Sequence, residues 1–124
     1  KAALKLAQKL EAHPKVAAVF HPALKSFSQH KLWKRDFTGA AGLFTVVLKE
    51  KFAPEKLSKM LDKLNFFGMG YSWGGYESLI IPFELSKIRT ASNWQHKGVA
   101  FRISIGLENI DDLIADIETA LARI

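Results

Sequence analysis

Seven residues, Val99-Ala100-Phe101-Arg102-Ile103-Ser104-Ile105, alternate at period two. Val99, Phe101, Ile103 and Ile105 fall on one face of an extended chain, and Ala100, Arg102 and Ser104 on the other. The first face is wholly apolar and predicts the packed side of a β-sheet. The second carries a guanidinium between two small neighbours, which leaves room above the strand beside its fork. An arginine in that setting suits a planar anion such as a carboxylate, gripped through two parallel N–H bonds. A solvated arginine or a structural ion pair on a wet strand face is the other reading of these seven residues.

The rest of the chain predicts helices to cover the apolar face. Ala3, Leu6, Ala7 and Leu10 recur at helical spacing in 2–12, and His13-Pro14 stops that helix. Val16 to Phe20 reads as a short strand closed by His21-Pro22. Ser26 and Ser28 are candidate caps for a short helix near 28–36, where His30, Lys31, Lys34 and Arg35 surround Trp33. That patch fits either a polyanion contact or a solvated helix with one aromatic tucked inward. Leu43–Leu48 reads as a central strand buried on both faces. Pro54 suits the first turn of a helix striped by Leu57, Met60, Leu61 and Leu64, although Ala53 is a poor cap. Leu79–Phe83 is expected to be a strand ending around Pro82, with some helical character in 84–90 and an exposed turn in 92–98. Asn109 should cap a last helix whose stripe is Ile110, Leu113, Ile114, Ile117 and Leu121. Together these elements predict an α+β fold, a two-layer sandwich of helices on a mixed or antiparallel sheet.

Length and composition fit one domain spanning 1–124. The apolar share is 48% and the charged share 24%, which is globular rather than disordered composition. With no cysteine there is no disulfide, thiolate nucleophile or cysteine zinc site. The apolar runs fall short of a membrane span and no signal-peptide pattern opens the chain, so no membrane partner is expected. The net charge is +6, but the basic residues are scattered without a run of like charges, which argues against nucleic acid. His13, His21, His30 and His96 lack metal-ligand spacing, so no metal is expected and each reads as a turn or surface residue. No serine lies in a nucleophile elbow, and Glu77 and Glu84 have no glycosidase context. No catalytic set is complete.

One segment remains unusual. Phe66-Phe67-Gly68-Met69-Gly70-Tyr71-Ser72-Trp73-Gly74-Gly75-Tyr76-Glu77-Ser78 mixes four glycines with five aromatics. Trp73 occupies a position where a dinucleotide fingerprint needs glycine. A turn with core aromatics and a pocket walled by rings both fit.

Tyr71-Ser72-Trp73-Gly74-Gly75-Tyr76-Glu77-Ser78-Leu79-Ile80 resembles the signature loop of the cystathionine beta-lyases, a group within the pyridoxal-phosphate enzymes of cysteine and methionine metabolism. The tail from Phe101 to Asp116 resembles the closing segment of the same family, and Trp33-Lys34-Arg35-Asp36-Phe37-Thr38-Gly39 with Gly42-Leu43-Phe44 fits its pattern. Tryptophan after Ser72 favours the beta-lyases over relatives with Ser-Leu-Gly-Gly. The resemblance implies the C-terminal domain of a longer fold-type I enzyme that cleaves cystathionine to homocysteine, pyruvate and ammonia. It implies that Arg102 binds the substrate α-carboxylate. Ser72 and Trp73 are implied beside that carboxylate and the cofactor–lysine linkage, with Ser72 also contacting cofactor, and Tyr71 near the substrate's distal part. The cofactor lysine, and most of the hold on pyridoxal 5'-phosphate, are implied in an N-terminal domain that is the partner of this one. A cytoplasmic homotetramer, active only as the full-length protein, is the implied whole. A free-standing α+β domain binding a carboxylate effector is the alternative.

Overall fold

The computed structural model describes residues 1–124. It contains helix α1 (Ala2–Glu11), strand β1 (Val16–Phe20), helix α2 (His30–Asp36), strand β2 (Leu43–Leu48) and helix α3 (Pro54–Leu61). Strands β3 (Phe67–Met69) and β4 (Ser78–Phe83), a single turn α4 (Leu85–Ile88), strand β5 (Ala100–Ser104) and helix α5 (Ile110–Ala122) follow. The five strands form one mixed sheet in the order β1-β2-β5-β4-β3. The β1–β2, β2–β5 and β5–β4 pairs are antiparallel, and β3 adds to β4 in parallel. This is the α+β sandwich expected from the periodicities.

The alternation in β5 organises both faces. Phe101, Ile103 and Ile105 are buried with Phe44, Val46 and Leu48 of β2 and Ile80 of β4. Apolar stripes of α1, α3 and α5 join the same core; Leu6 and Leu113 there have 1% and 0% exposure, so both helices are sealed onto the sheet. Each such side chain removed from water contributes about 1.5–3 kcal/mol. The predicted cap of α5 is present: Asp111 N–H donates to Asn109 Oδ1 at 2.8 Å. Asp111 also pairs with Lys5 at 2.5 Å, bridging α5 to α1.

β4 does end around Pro82, one residue beyond it, with Pro82 opposite Phe101. The edge strand β3 stops opposite Ile80, so no neighbour on that side needs a proline N–H. Some local expectations are corrected. Neither Ser26 nor Ser28 caps α2; its cap position is Gln29, without a side-chain bond, and Ser26 donates to Glu11 instead. β2 is buried on both faces only at its C-terminal end, because Leu43 and Thr45 face the side of the sheet without helices. The 92–98 segment is not a simple exposed turn. Trp94 and His96 are half-buried and pack on Phe20 of β1, each with ring centroids 5.6 Å away.

Gly98 begins the approach to β5 by passing against the end of β2. A Cβ there would stand 1.7 Å from the Leu48 carbonyl oxygen and 2.6 Å from its carbon. Both obstacles are backbone, so neither can swing away. Gly98→Ala is therefore expected to destabilise the chain by about 2 kcal/mol or more. Gly75→Ala, with nothing within 4 Å of its Cβ, should stay within about 0.5 kcal/mol of the parent. Urea midpoints of the two variants check this, and similar midpoints would contradict it.

Candidate functional site

Arg102 stands in the middle of the helix-free face. Thr45 of β2 and Ile81 of β4 are its direct cross-strand neighbours, and Phe20 of β1 lies beyond Thr45 in the same row. The small residues on either side along β5 are covered rather than open. Ala100 has 2% exposure and Ser104 has 3%. The 84–98 strap borders Ala100, and the glycine loop reaches Ser104, where Gly74 N–H approaches Oγ at 3.4 Å. The guanidinium therefore emerges between two lids. It donates through Nη2 to the Tyr71 carbonyl, and its Cζ lies 5.9 Å from the Tyr71 ring centroid. The chain's ion pairs join Lys5 to Asp111, Arg35 to Asp36 and Lys87 to Glu84, so Arg102 pairs with no carboxylate of its own chain.

The glycine loop forms a lip beside this cation. Its aromatics are not core residues: Tyr71, Trp73 and Tyr76 are 73%, 64% and 72% exposed, and Phe67 alone of the five is buried. The backbone explains how so apolar a loop keeps one shape. Gly74 adopts φ of 76°, a left-handed conformation that favours glycine. Gly106, just after β5, lets the returning loop pass closely, since a Cβ there would lie 2.1 Å from the Tyr76 carbonyl oxygen. Leu107 N–H donates to that same oxygen at 2.8 Å.

Two acids missing from the sequence reading hold the lip in place. Glu108 accepts from Ser78 N–H at 2.7 Å and from Ser78 Oγ at 2.6 Å, while Ser78 Oγ accepts from Gly106 N–H at 2.9 Å. This clasp fastens the end of the loop to the end of β5. Burial raises the Glu108 pKa, but the hydroxyl and backbone hydrogen bonds from Ser78 outweigh it and hold the carboxyl below its ordinary value. Asp116, buried on α5, accepts from Asn65 N–H at 3.0 and 3.1 Å and from Phe66 N–H at 2.9 Å, fixing the approach to β3. Asp116 was legible as an acid within the apolar stripe between Leu113 and Ile117. For Glu108 the sequence carries no comparable signal.

The structure brings Tyr71 to Arg102 directly. Ser72 and Trp73 follow on the same exposed lip, and neither side chain bonds to Arg102. The histidines serve the fold. His21 is at a turn, as expected, but buried: it is 1% exposed, edge-on to the Phe44 ring, accepts from Ala23 N–H at 3.1 Å, and burial lowers its pKa. No group of three or more acids and histidines could hold a metal ion. Trp33 of α2 is half-buried and donates to the Gly39 carbonyl at 3.2 Å, as a tucked aromatic would.

A sequence profile described as Cys/Met metabolism PLP-dependent enzyme matches residues 1–122. The chain belongs to that family. It is 50% identical to the cystathionine beta-lyase of Escherichia coli, over 98% of this chain and 31% of the relative. Identity to an L-alanine/L-glutamate racemase of Wolbachia pipientis is 44%, over 98% of this chain and 30% of the relative. A crystal structure from Campylobacter jejuni, described as an O-acetylhomoserine (thiol)-lyase with a pyridoxyl-lysine phosphate, superimposes with a TM-score of 0.76 at 33% identity. That match covers 98% of this chain and 27% of the other. The chain thus spans about a third of the length of the curated relatives it matches.

The cofactor of this family is pyridoxal phosphate. The residues present do not include a lysine suited to hold it. A cofactor-binding lysine needs desolvated surroundings, and every lysine here is exposed except Lys15. Lys15 is committed elsewhere, donating to the carbonyls of Leu121 and Ile124.

The clasp has a measurable acid signature. A carboxyl whose folded pKa lies below its unfolded value adds stability above the unfolded value, here 4.5, and loses it as pH falls through the folded one. Glu108→Gln is expected to lower stability at pH 7 by about 1.5–3 kcal/mol, the scale of hydrogen bonds to a charged group. The variant should also lose less stability than the parent on acidification. Urea midpoints at pH 7 and near pH 3 measure both, and parallel pH profiles would contradict the assignment.

Proposed function

We propose that this chain is the C-terminal domain of a cystathionine beta-lyase and that Arg102 holds the substrate's α-carboxylate. The observation that carries this reading is Arg102 itself. It is fixed at mid-sheet beside an exposed aromatic lip, tied to a neutral carbonyl and paired with no acid. The lyase assignment within the family is supported by 50% and 51% identity to two enterobacterial cystathionine beta-lyases, against 44% to the racemase.

The bound cofactor supplies an electron sink for the carbanion at the substrate's α-carbon. This domain contributes orientation. A bidentate guanidinium fixes the carboxylate plane and leaves one rotation about the α-carbon, which the lip then restricts. Tyr71 walls the side toward which the substrate's distal part extends, and Trp73 lies with Ser72 beside the carboxylate, where its ring excludes water. Ser72, exposed on the lip, offers its hydroxyl to the carboxylate and to the cofactor linkage. The N-terminal domain supplies the lysine, and the whole acts as a cytoplasmic homotetramer in amino-acid biosynthesis. By itself the chain is inactive. No helix of the chain is long and apolar enough to cross a membrane.

The alternative, a free-standing domain that binds a carboxylate effector through Arg102, is disfavoured by relatives about three times as long.

In the full-length enzyme, Arg102→Ala should lower kcat/KM for cystathionine by at least roughly 10- to 150-fold, corresponding to about 1.5–3 kcal/mol for a charged hydrogen bond. Arg102→Lys should recover only part, because an ammonium lacks the planar fork. An unchanged kcat/KM in Arg102→Ala would remove the residue from the site.

A further inference from the structure

Away from the Tyr71–Arg102 lip, a cleft of about 460 Å³ opens between the start of α3 and the 84–98 strap. Its volume is that of small-molecule sites. Phe52, Leu57, Phe83 and Trp94 give it apolar walls, and Lys51 and Lys97 line it as well. The backbone brings those two cations to the same cleft. Leu48 N–H donates to the Val99 carbonyl at 2.8 Å and Val99 N–H to the Glu50 carbonyl at 3.1 Å, so the segments carrying Lys51 and Lys97 run together. Further positive charge backs the rings. Lys56 sits 5.3 Å from the Phe52 centroid and Arg89 5.7 Å from the Trp94 ring. Glu84 is the one acid lining the cleft, and it pairs with Lys87 at 2.6 Å. His96 completes that side, tilted against Trp94 with ring centroids 4.8 Å apart.

We propose that this cleft is a second small-molecule site, taking an organic anion with a flat apolar body. The rings and Leu57 accept the body, and Lys51 and Lys97 meet the charge. The proposal is independent of the role given to Arg102, and its test requires no catalytic activity.

The test uses the full-length protein and two probes of one shape, naphthalene-2-sulfonate and the uncharged naphthalene-2-sulfonamide. Calorimetry at pH 7, with saturation-transfer NMR to locate the bound rings, gives both affinities. The sulfonate should bind with a Kd of about 1 mM or tighter, at 4 kcal/mol or so, and the sulfonamide at least about fivefold more weakly, the scale of an accessible charge pair. The double change Lys51→Gln and Lys97→Gln should reduce sulfonate binding to the sulfonamide level. Leu57→Trp should fill the cleft and abolish binding of both, while Arg102→Ala should leave both unchanged. Equal affinity of the probes, no binding to the full-length protein, or indifference to Leu57→Trp would each overturn the proposal. Loss of sulfonate binding in Arg102→Ala alone would also overturn it, by moving the anion to the lip.

Discussion

The clasp of Glu108 and Ser78 is the contact on which the arrangement of this face depends. It joins the end of a loop with little intrinsic preference for one shape to the end of the strand that carries Arg102. It holds the Ser78 end of the lip, while the Arg102 bond to the Tyr71 carbonyl holds the other end. The clasp works because every party is paired: the hydroxyl both donates to the carboxylate and accepts from Gly106 N–H. Gly106 then admits the loop within a distance that any side chain would forbid. Close backbone contacts thus set the lip beside the strand that carries the cation.

The sheet divides labour between its faces. One side is sealed by α1, α3 and α5 and supplies the stability. The other has no helix layer; it is partly covered by two loops, the glycine lip at the Ser104 end and the 84–98 strap at the Ala100 end. Arg102 lies between them. A strand with strictly two-sided alternation makes this possible, since one residue can be wholly structural while the next is free for binding. Two cystathionine beta-lyases and a racemase are 44–51% identical to this chain over nearly its whole length.

Much of this was legible in the sequence. Period-two alternation located β5, its apolar face and the cation on the opposite side, and the stripe from Ile110 to Leu121 identified the helix that covers the core. Pro82 stands one residue from the end of its strand, as its lack of an N–H suggested, and the shortness of β3 shows why it is tolerated there. Local polarity failed where tertiary contacts decide. The strap looked like an exposed turn because Ser92, Asn93, Gln95 and Lys97 are polar, yet Trp94 and His96 between them reach Phe20, a residue far away in the chain. The clasp was hidden for the same reason: Ser78 and Glu108 are thirty positions apart and carry no local pattern. The resemblance of 71–80 to a known loop named its residues but could not reveal what holds that loop.

The central claim is that Arg102 grips a substrate carboxylate. A crystal structure of the full-length enzyme with a non-reactive amino-acid analogue tests it most directly. The account predicts two parallel bonds from the Arg102 guanidinium to the α-carboxylate, at about 2.7–2.9 Å. A carboxylate held by another cation, with Arg102 still bound only to the Tyr71 carbonyl, would contradict it.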